Sequence, residues 1–234
     1  MKGKAKSPGK AWSSLLMENK DVYSRSRPKR AKFIVDYMKK NHPDMILKSY
    51  HEQGAFSGKD IKYIGDLYPE ATLYASDLDT KVAEHLGKTG LNTIACDAFS
   101  LPFKDNSFDI TFHSGLVICF SNKDALSIIK EQVRTTSKIA FIFAHNELSW
   151  IDKLASLYKS KIKRKDIFNY RRYTEEELIK IANSIGYEAE IYYSDNALIN
   201  FVGRNFGFLK RVVVYSGLAD RKSLFNEIVM VIKK

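Results

Sequence analysis

Apolar residues recur along this chain at two spacings, and the change of spacing marks where one element gives way to the next. Between Pro28 and Lys40 they fall at Phe33, Ile34, Tyr37 and Met38, a helical repeat that Pro28 opens. "HP" at 42–43 breaks it, and "DMILKS" (44–49) reads as a strand. "SGKDIKYIGDLYP" (57–69) predicts a helix with Ile61, Ile64 and Leu67 on one face, stopped by Pro69. "ATLYAS" (71–76) predicts a strand ending at Asp77, and "DTKVAEHLGKTG" (79–90) a short helix with Gly90 just past its end. "NTIAC" (92–96) predicts a third strand, ending at Asp97. After a loop with Pro102 come "FDITFHS" (108–114) as a strand, "NKDALSIIKEQVRTT" (122–136) as a helix and "KIAFIFAH" (138–145) as a nearly continuous apolar strand. Such a run is expected where helices cover both faces of a sheet. Strands alternating with helices over 45–145 imply βαβ units, right-handed crossovers and a doubly wound, Rossmann-like α/β sheet, mostly parallel.

The pattern then loosens. "SWIDKLASLYKSKIKRK" (149–165) predicts a helix that turns strongly basic. Thr174 and Glu177 form a capping box for a helix ending near Gly186. "EAEIYYS" (188–194) and "NEIVMVIKK" (226–234) read as strands, the last one antiparallel, while the aromatic-rich stretch 198–217 fits no single pattern. The expected organisation is a basic flexible arm over 1–24, then one domain over 25–234 with a lid-like segment near 146–173.

Composition narrows the class. With 234 residues, 44% hydrophobic and 28% charged, the chain can bury a core without staples. Cys96 and Cys119 each lie in an apolar stretch, which points to buried thiols in a reducing, cytoplasmic setting and not to a disulfide or metal site. No apolar run approaches the roughly 18–20 residues that span a bilayer, so no transmembrane segment is expected. The basic N-terminus lacks the apolar core of a secretory signal. A net charge of +11 favours acidic partners: nucleic acid, phosphorylated metabolites or anionic membrane surfaces. It is dispersed over the arm, "SRSRPKRAK" (24–32), "KSKIKRK" (159–165) and "YRRY" (170–173), which is also what a solvated surface looks like. No zinc-spaced Cys/His cluster, GxxxxGK[ST] loop or G-x-S-x-G elbow is present.

In a doubly wound sheet the ligand lies outside the carboxyl ends of the strands. Three polar features fall there: the turn near 50–54, Asp77 and Asp97. Taken alone, either aspartate serves equally well as a helix cap. Their order and spacing together are more specific. From "ILKSYHEQGAFS" through "PEATLYASDLD" and "ACDAFSLPFKDNSFDITF", with "RRYTEEELIKIANSIGY" further on, the chain resembles the class I S-adenosylmethionine-dependent methyltransferases that act on small molecules, lipids and glycans. The phrase D-A-x-x-L-P-F-x-D-x-S-F-D at 97–109 carries most of that resemblance, which extends over about 45–190.

The resemblance implies S-adenosylmethionine as cofactor and S-adenosylhomocysteine as product. It assigns Asp77 to the ribose hydroxyls, Leu78 to the adenine face, Asp97 to the adenine amine, with Ala98 and Phe99 beside the base. Glu52, Gly54, His113 and Ser114 would border the methionine end, and Arg27 its carboxylate. His113 and His145, at strand ends, are the candidate general bases, and Tyr170, Arg171 and Arg172 could line an acceptor pocket. The partner implied is a small-molecule acceptor. "HSGLV" lacks the N/D-P-P turn of base-amine methyltransferases, so dedicated nucleic-acid binding is not expected, and Cys119 lacks the preceding proline of a cytosine-directed nucleophile.

The first motif departs from the family. Against E/D-x-G-x-G-x-G, the aligned positions are Lys48, Tyr50, Glu52 and Gly54. A basic residue replaces the acidic one and two glycines are lost. Either the site is remodelled and active, or its ligand has changed, or the fold persists as a non-catalytic binding or partner subunit.

Overall fold

The computed structural model describes residues 27–163, 170–205 and 220–234, together with Ser14, Leu16, Val214 and Gly217. The basic arm lies outside them apart from two residues, and so does most of 206–219. The described residues fall into two compact units, one up to Ile142 with Ile232–Lys234, the other from Phe143 to Val231.

The first unit opens with helix α1 (Lys29–Asn41), which follows Pro28 and buries Ile34, Tyr37 and Met38. Strand β1 (Ser49–Gln53), helix α2 (Lys59–Leu67), strand β2 (Thr72–Asp77), helix α3 (Thr80–Gly87) and strand β3 (Asn92–Ala95) follow. Then come β4 (Phe108–Ser114), α4 (Asn122–Thr135) and β5 (Thr136–Asn146), whose last residues pass into the second unit. The strand order here is β3-β2-β1-β4-β5. All three registers that position the site are parallel: Gln53 pairs with Ser76 and with His113, and Asp77 pairs with Ala95. The order reverses at β1, so β1 and β4 flank the switch point at which a doubly wound sheet opens to ligand.

Helix starts follow local chemistry. Asp79 caps α3 by accepting from Lys81 N at 3.0 Å, and Ser121 caps α4. Ile61 and Ile64 of α2 are fully buried, each contributing about 1.5–3 kcal/mol. Leu67, expected on the same face, is 42% exposed because the helix ends there.

The second unit holds the end of β5, α5 (Trp150–Lys163), β6 (Arg172–Tyr173), α6 (Glu175–Ser184), β7 (Ala189–Asn196), α7 (Ala197–Asn205) and most of β8 (Phe225–Lys233). Its strand order is β5-β8-β7, with β6 parallel to β5 off that path. The C-terminal strands run antiparallel, as the sequence implies. The capping box at α6 is present in both directions: Thr174 Oγ accepts from Glu177 N (3.2 Å), and Glu177 Oε2 accepts from Thr174 N (3.0 Å). α7 resolves the first part of the ambiguous stretch as helix.

One expectation fails in a way that matters for the site. The first strand is not 44–49 but Ser49–Gln53. The apolar run at 45–47 looked like the strand, yet Ile46 is 77% exposed, while the polar residues His51, Glu52 and Gln53 are buried. Hydropathy marks a strand by its apolar side chains, and this one is buried with polar ones.

Candidate functional site

With the strand in its observed place, the first turn reads Glu52-Gln53-Gly54-Ala55-Phe56-Ser57-Gly58. That sequence fits E/D-x-G-x-G-x-G with a single replacement, Phe56. The backbone agrees: Gly54, Phe56 and Gly58 have φ of 60°, 48° and 63°, all left-handed. Glycine reaches that region without strain; a phenylalanine does not. A Cβ on Gly54 would stand 3.3 Å from Leu116 Cδ1, and one on Gly58 only 2.6 Å from Leu86 Cδ2. Tyr50 and Glu52 therefore occupy strand positions and replace no glycine. Tyr50 is fully buried, its ring 6.0 Å from that of Tyr68.

Glu52 supports the turn from beneath. It is 1% exposed; Oε2 accepts from Ile61 N at 3.2 Å and Oε1 from Ser114 Oγ at 3.3 Å. Burial, with Asp60 beside it, raises its carboxyl well above the ordinary range, against a smaller opposing pull from these hydrogen bonds and from Arg30.

The strand ends line a pocket with a cavity volume of about 180 Å³. The first turn contributes Gly54 and Phe56; the end of β2 contributes Ser76, Asp77 and Leu78. The end of β3 adds Cys96, Asp97 and Ala98. Beyond β4 come Ser114, Gly115 and Leu116, then Cys119 and Phe120. Asp77 is held from two sides: Oδ2 accepts from Phe56 N and Oδ1 from Asp79 N, each at 3.1 Å. Burial raises its pKa, and these backbone bonds work against the rise. Asp97 Oδ1 accepts from Phe99 N at 3.0 Å, and the Phe99 ring meets Phe120 edge-on at 5.5 Å. Arg134 pins the intervening loop: Nη1 donates to Phe103 O (2.9 Å) and Nη2 to Leu101 O (3.1 Å), while Leu101 N donates to Glu131 (2.7 Å).

The structure thus brings Gly54, Asp77, Leu78, Asp97 and Ala98 to one pocket, with Phe99 against its wall. His113 does not line it. The ring is fully buried, and among the described residues neither nitrogen has a hydrogen-bond partner; burial, then Arg30, lowers its pKa to about 3. Both amide atoms of the adjacent Gln53 are likewise unpartnered. Arg27 is exposed; Arg30, one helical turn later, reaches to 4.0 Å from where a Cβ on pocket-lining Gly115 would stand. The cationic spacing on α1 was legible in "RPKR", but not which member turns inward.

In the second unit, His145 Nδ1 lies 3.0 Å from Asp152 Oδ2, and its ring stacks on Tyr170 at 5.4 Å. Arg172 Nε donates to the same oxygen at 2.9 Å. Burial would raise Asp152, but His145 and Arg172 together hold it below the usual carboxylate range. Arg171 pairs with Glu177 at 2.8 Å and lies over the Tyr173 ring.

Sequence reasoning placed both cysteines in the core; the fold puts both in the pocket wall as free thiols. Burial raises both pKa values, that of Cys119 to about 11. We expect Cys119 to alkylate at neutral pH roughly a hundredfold more slowly than an unperturbed thiol. Mass spectrometry of iodoacetamide-treated protein measures this directly.

Comparison with known proteins bears on the same segment. Residues 51–143 match the family model described as a methyltransferase domain. The match begins at His51, within β1. Over these residues the chain is similar to methyltransferase domains. Solved structures share this domain's fold at low identity. A SAM-dependent methyltransferase from Archaeoglobus fulgidus superposes with a TM-score of 0.62 at 14% identity, covering 94% of this chain and 99% of that one. Magnesium protoporphyrin IX methyltransferase from Synechocystis PCC 6803, solved with bound SAH, gives 0.60 at 11% identity, covering 88% and 82%. The 1,6-didemethyltoxoflavin-N1-methyltransferase of Burkholderia thailandensis, with its substrate and S-adenosylhomocysteine, gives 0.60 at 13% identity, covering 96% and 86%. No curated protein matches the sequence. S-adenosylmethionine is the cofactor of the methyltransferase domain, and the pocket's chemistry fits it: two carboxylates at successive strand ends, apolar walls between them, and a glycine cradle at Gly54. Among the described residues no helix is long and apolar enough to cross a membrane, and no group of side chains could hold a metal.

Proposed function

We propose that this chain is an S-adenosylmethionine-dependent methyltransferase acting on a small molecule in the cytoplasm, with a glycan or lipid-linked precursor as the acceptor class. The observation that carries the reading is the pair Asp77 and Asp97 at adjacent strand ends of one pocket. The bound cofactor supplies an electrophilic methyl carbon. Asp77 orients the ribose: each of its oxygens accepts one backbone N–H and keeps lone pairs for a hydroxyl. Asp97 accepts from the adenine amine, with Leu78, Ala98 and Phe99 around the base. Glu52 holds Ser114 and the start of α2 in place behind the methionine end. His113, kept neutral by burial, packs beneath that end, and His145 takes the acceptor's proton. The acceptor needs no nucleic-acid surface.

Asp77→Ala should weaken S-adenosylhomocysteine binding by about 1.5–3 kcal/mol, the range for hydrogen bonds to a charged group. Calorimetry reads this as roughly a 10- to 150-fold rise in Kd. An unchanged Kd would remove Asp77 from the site. Phe56 favours a second reading, a fold kept as a binding or partner subunit, because it sets a phenyl ring where the family has glycine.

A further inference from the structure

Helix α5 is built inside out. Its polar side faces inward: Asp152 takes Arg172 and His145, and Ser156, one turn on, accepts from Arg172 Nη2 at 2.7 Å. Ser149 Oγ accepts from Asp152 N at the helix start. The outward side carries Trp150, Leu154 and Tyr158, exposed by 53%, 57% and 68%. These positions recur every fourth residue and form one stripe. Leu148, just before the helix, is 50% exposed. A surface helix ordinarily shows the reverse, apolar side in and polar side out.

The sequence says what the stripe suits. Along the same helix the chain continues with Lys159, Lys161 and Lys163, and its net charge is +11. Leucine flanked by tryptophan and tyrosine, followed by lysines, is the composition of a helix lying in a membrane interface. The one acid on its first turn, Asp152, is already taken by Arg172, and the nearby Lys153 is paired with Glu147 at 2.6 Å. We propose that α5 docks this protein onto an anionic lipid surface, lying in the interfacial plane with the Trp150–Leu154–Tyr158 stripe buried among headgroups and acyl chains. No described helix is long enough to span, so the attachment is peripheral and reversible. The proposal does not depend on the cofactor site and can fail without it.

The test uses the full chain with Trp12→Phe, which leaves Trp150 as the single tryptophan, and vesicles of phosphatidylcholine with or without phosphatidylglycerol. Co-sedimentation with the anionic vesicles and a blue shift of Trp150 emission are expected, weakening as salt rises. Leu154→Asp with Tyr158→Asp should cut that binding roughly tenfold or more. Leu154→Ser with Tyr158→Ser serves as the second variant if circular dichroism finds the first unfolded. Absent vesicle binding, or binding that the folded variants leave unchanged, overturns the proposal. So does a dimer in light scattering that these variants break, or salt-sensitive RNA retention, when vesicles are not bound.

Discussion

Acidification below pH 6.5 should destabilise this protein steeply. His51 and His113 are both fully buried on neighbouring strands of the first unit, and burial lowers each pKa to about 3. The unfolded chain binds those protons near pH 6.5; the folded one refuses them. Unfolding then takes up protons, so stability is complete above 6.5 and is lost as pH falls from there towards 3. Each histidine contributes a slope of about 1.4 kcal/mol per pH unit. Glu52 works the other way. Its folded pKa is raised, so its contribution is fully present below the ordinary carboxyl value and is lost as pH rises through the folded one. Asp77 has the same sign. Wherever Glu52 or Asp77 is protonated in the folded chain alone, each takes away one histidine's share; below the ordinary carboxyl range both histidines act unopposed by them and contribute about 2.7 kcal/mol per unit. Urea unfolding across pH measures it. His113→Leu should remove one histidine's share and cost little at pH 7.5, because neither ring nitrogen has a partner among the described residues. A His113→Leu variant with the same slope as the wild type would mean this ring is not buried as described.

The second large effect is kinetic. His145→Gln should lower kcat by about 10²–10⁴-fold, the usual worth of a positioned general base, with S-adenosylhomocysteine affinity unchanged. His145 stands at the carboxyl end of β5, the edge of a parallel strand at which such sheets bind ligands. Asp152 at 3.0 Å from Nδ1 favours the tautomer protonated there, which leaves Nε2 free to accept a proton. Arg172 shares the same carboxylate, so Asp152 stays charged and fixed. Asp152→Asn should follow His145→Gln in kcat and shift the pH profile. If kcat survives His145→Gln, the residue is a strut between β5 and α5.

How far the sequence foretold this depended on which side chains are buried. Strands and helices with apolar cores were legible from their period: Ile34 and Met38, Ile61 and Ile64, and the run ending β5 are all buried. Thr174, Glu177 and the loop at 97–109 announced themselves by local chemistry and sit as expected. The first strand did not, because its buried residues are His51, Glu52 and Gln53. Hydropathy slid the strand onto Met45–Leu47, where Ile46 is exposed, and moved the glycine motif with it. In the observed register the acidic position is kept, at Glu52, and only one glycine is replaced. α5 misleads for the complementary reason: periodicity reports an apolar stripe but not which way it faces.

Calorimetric titration of the full chain with S-adenosylhomocysteine, followed by S-adenosylmethionine, weighs most heavily on the site at the ends of β1, β2 and β3. One binding event per chain is expected, with a raised Tm and slower alkylation of Cys96 and Cys119 in the complex. A folded protein that gives no heat, no rise in Tm and no protection of either thiol with both compounds would contradict it.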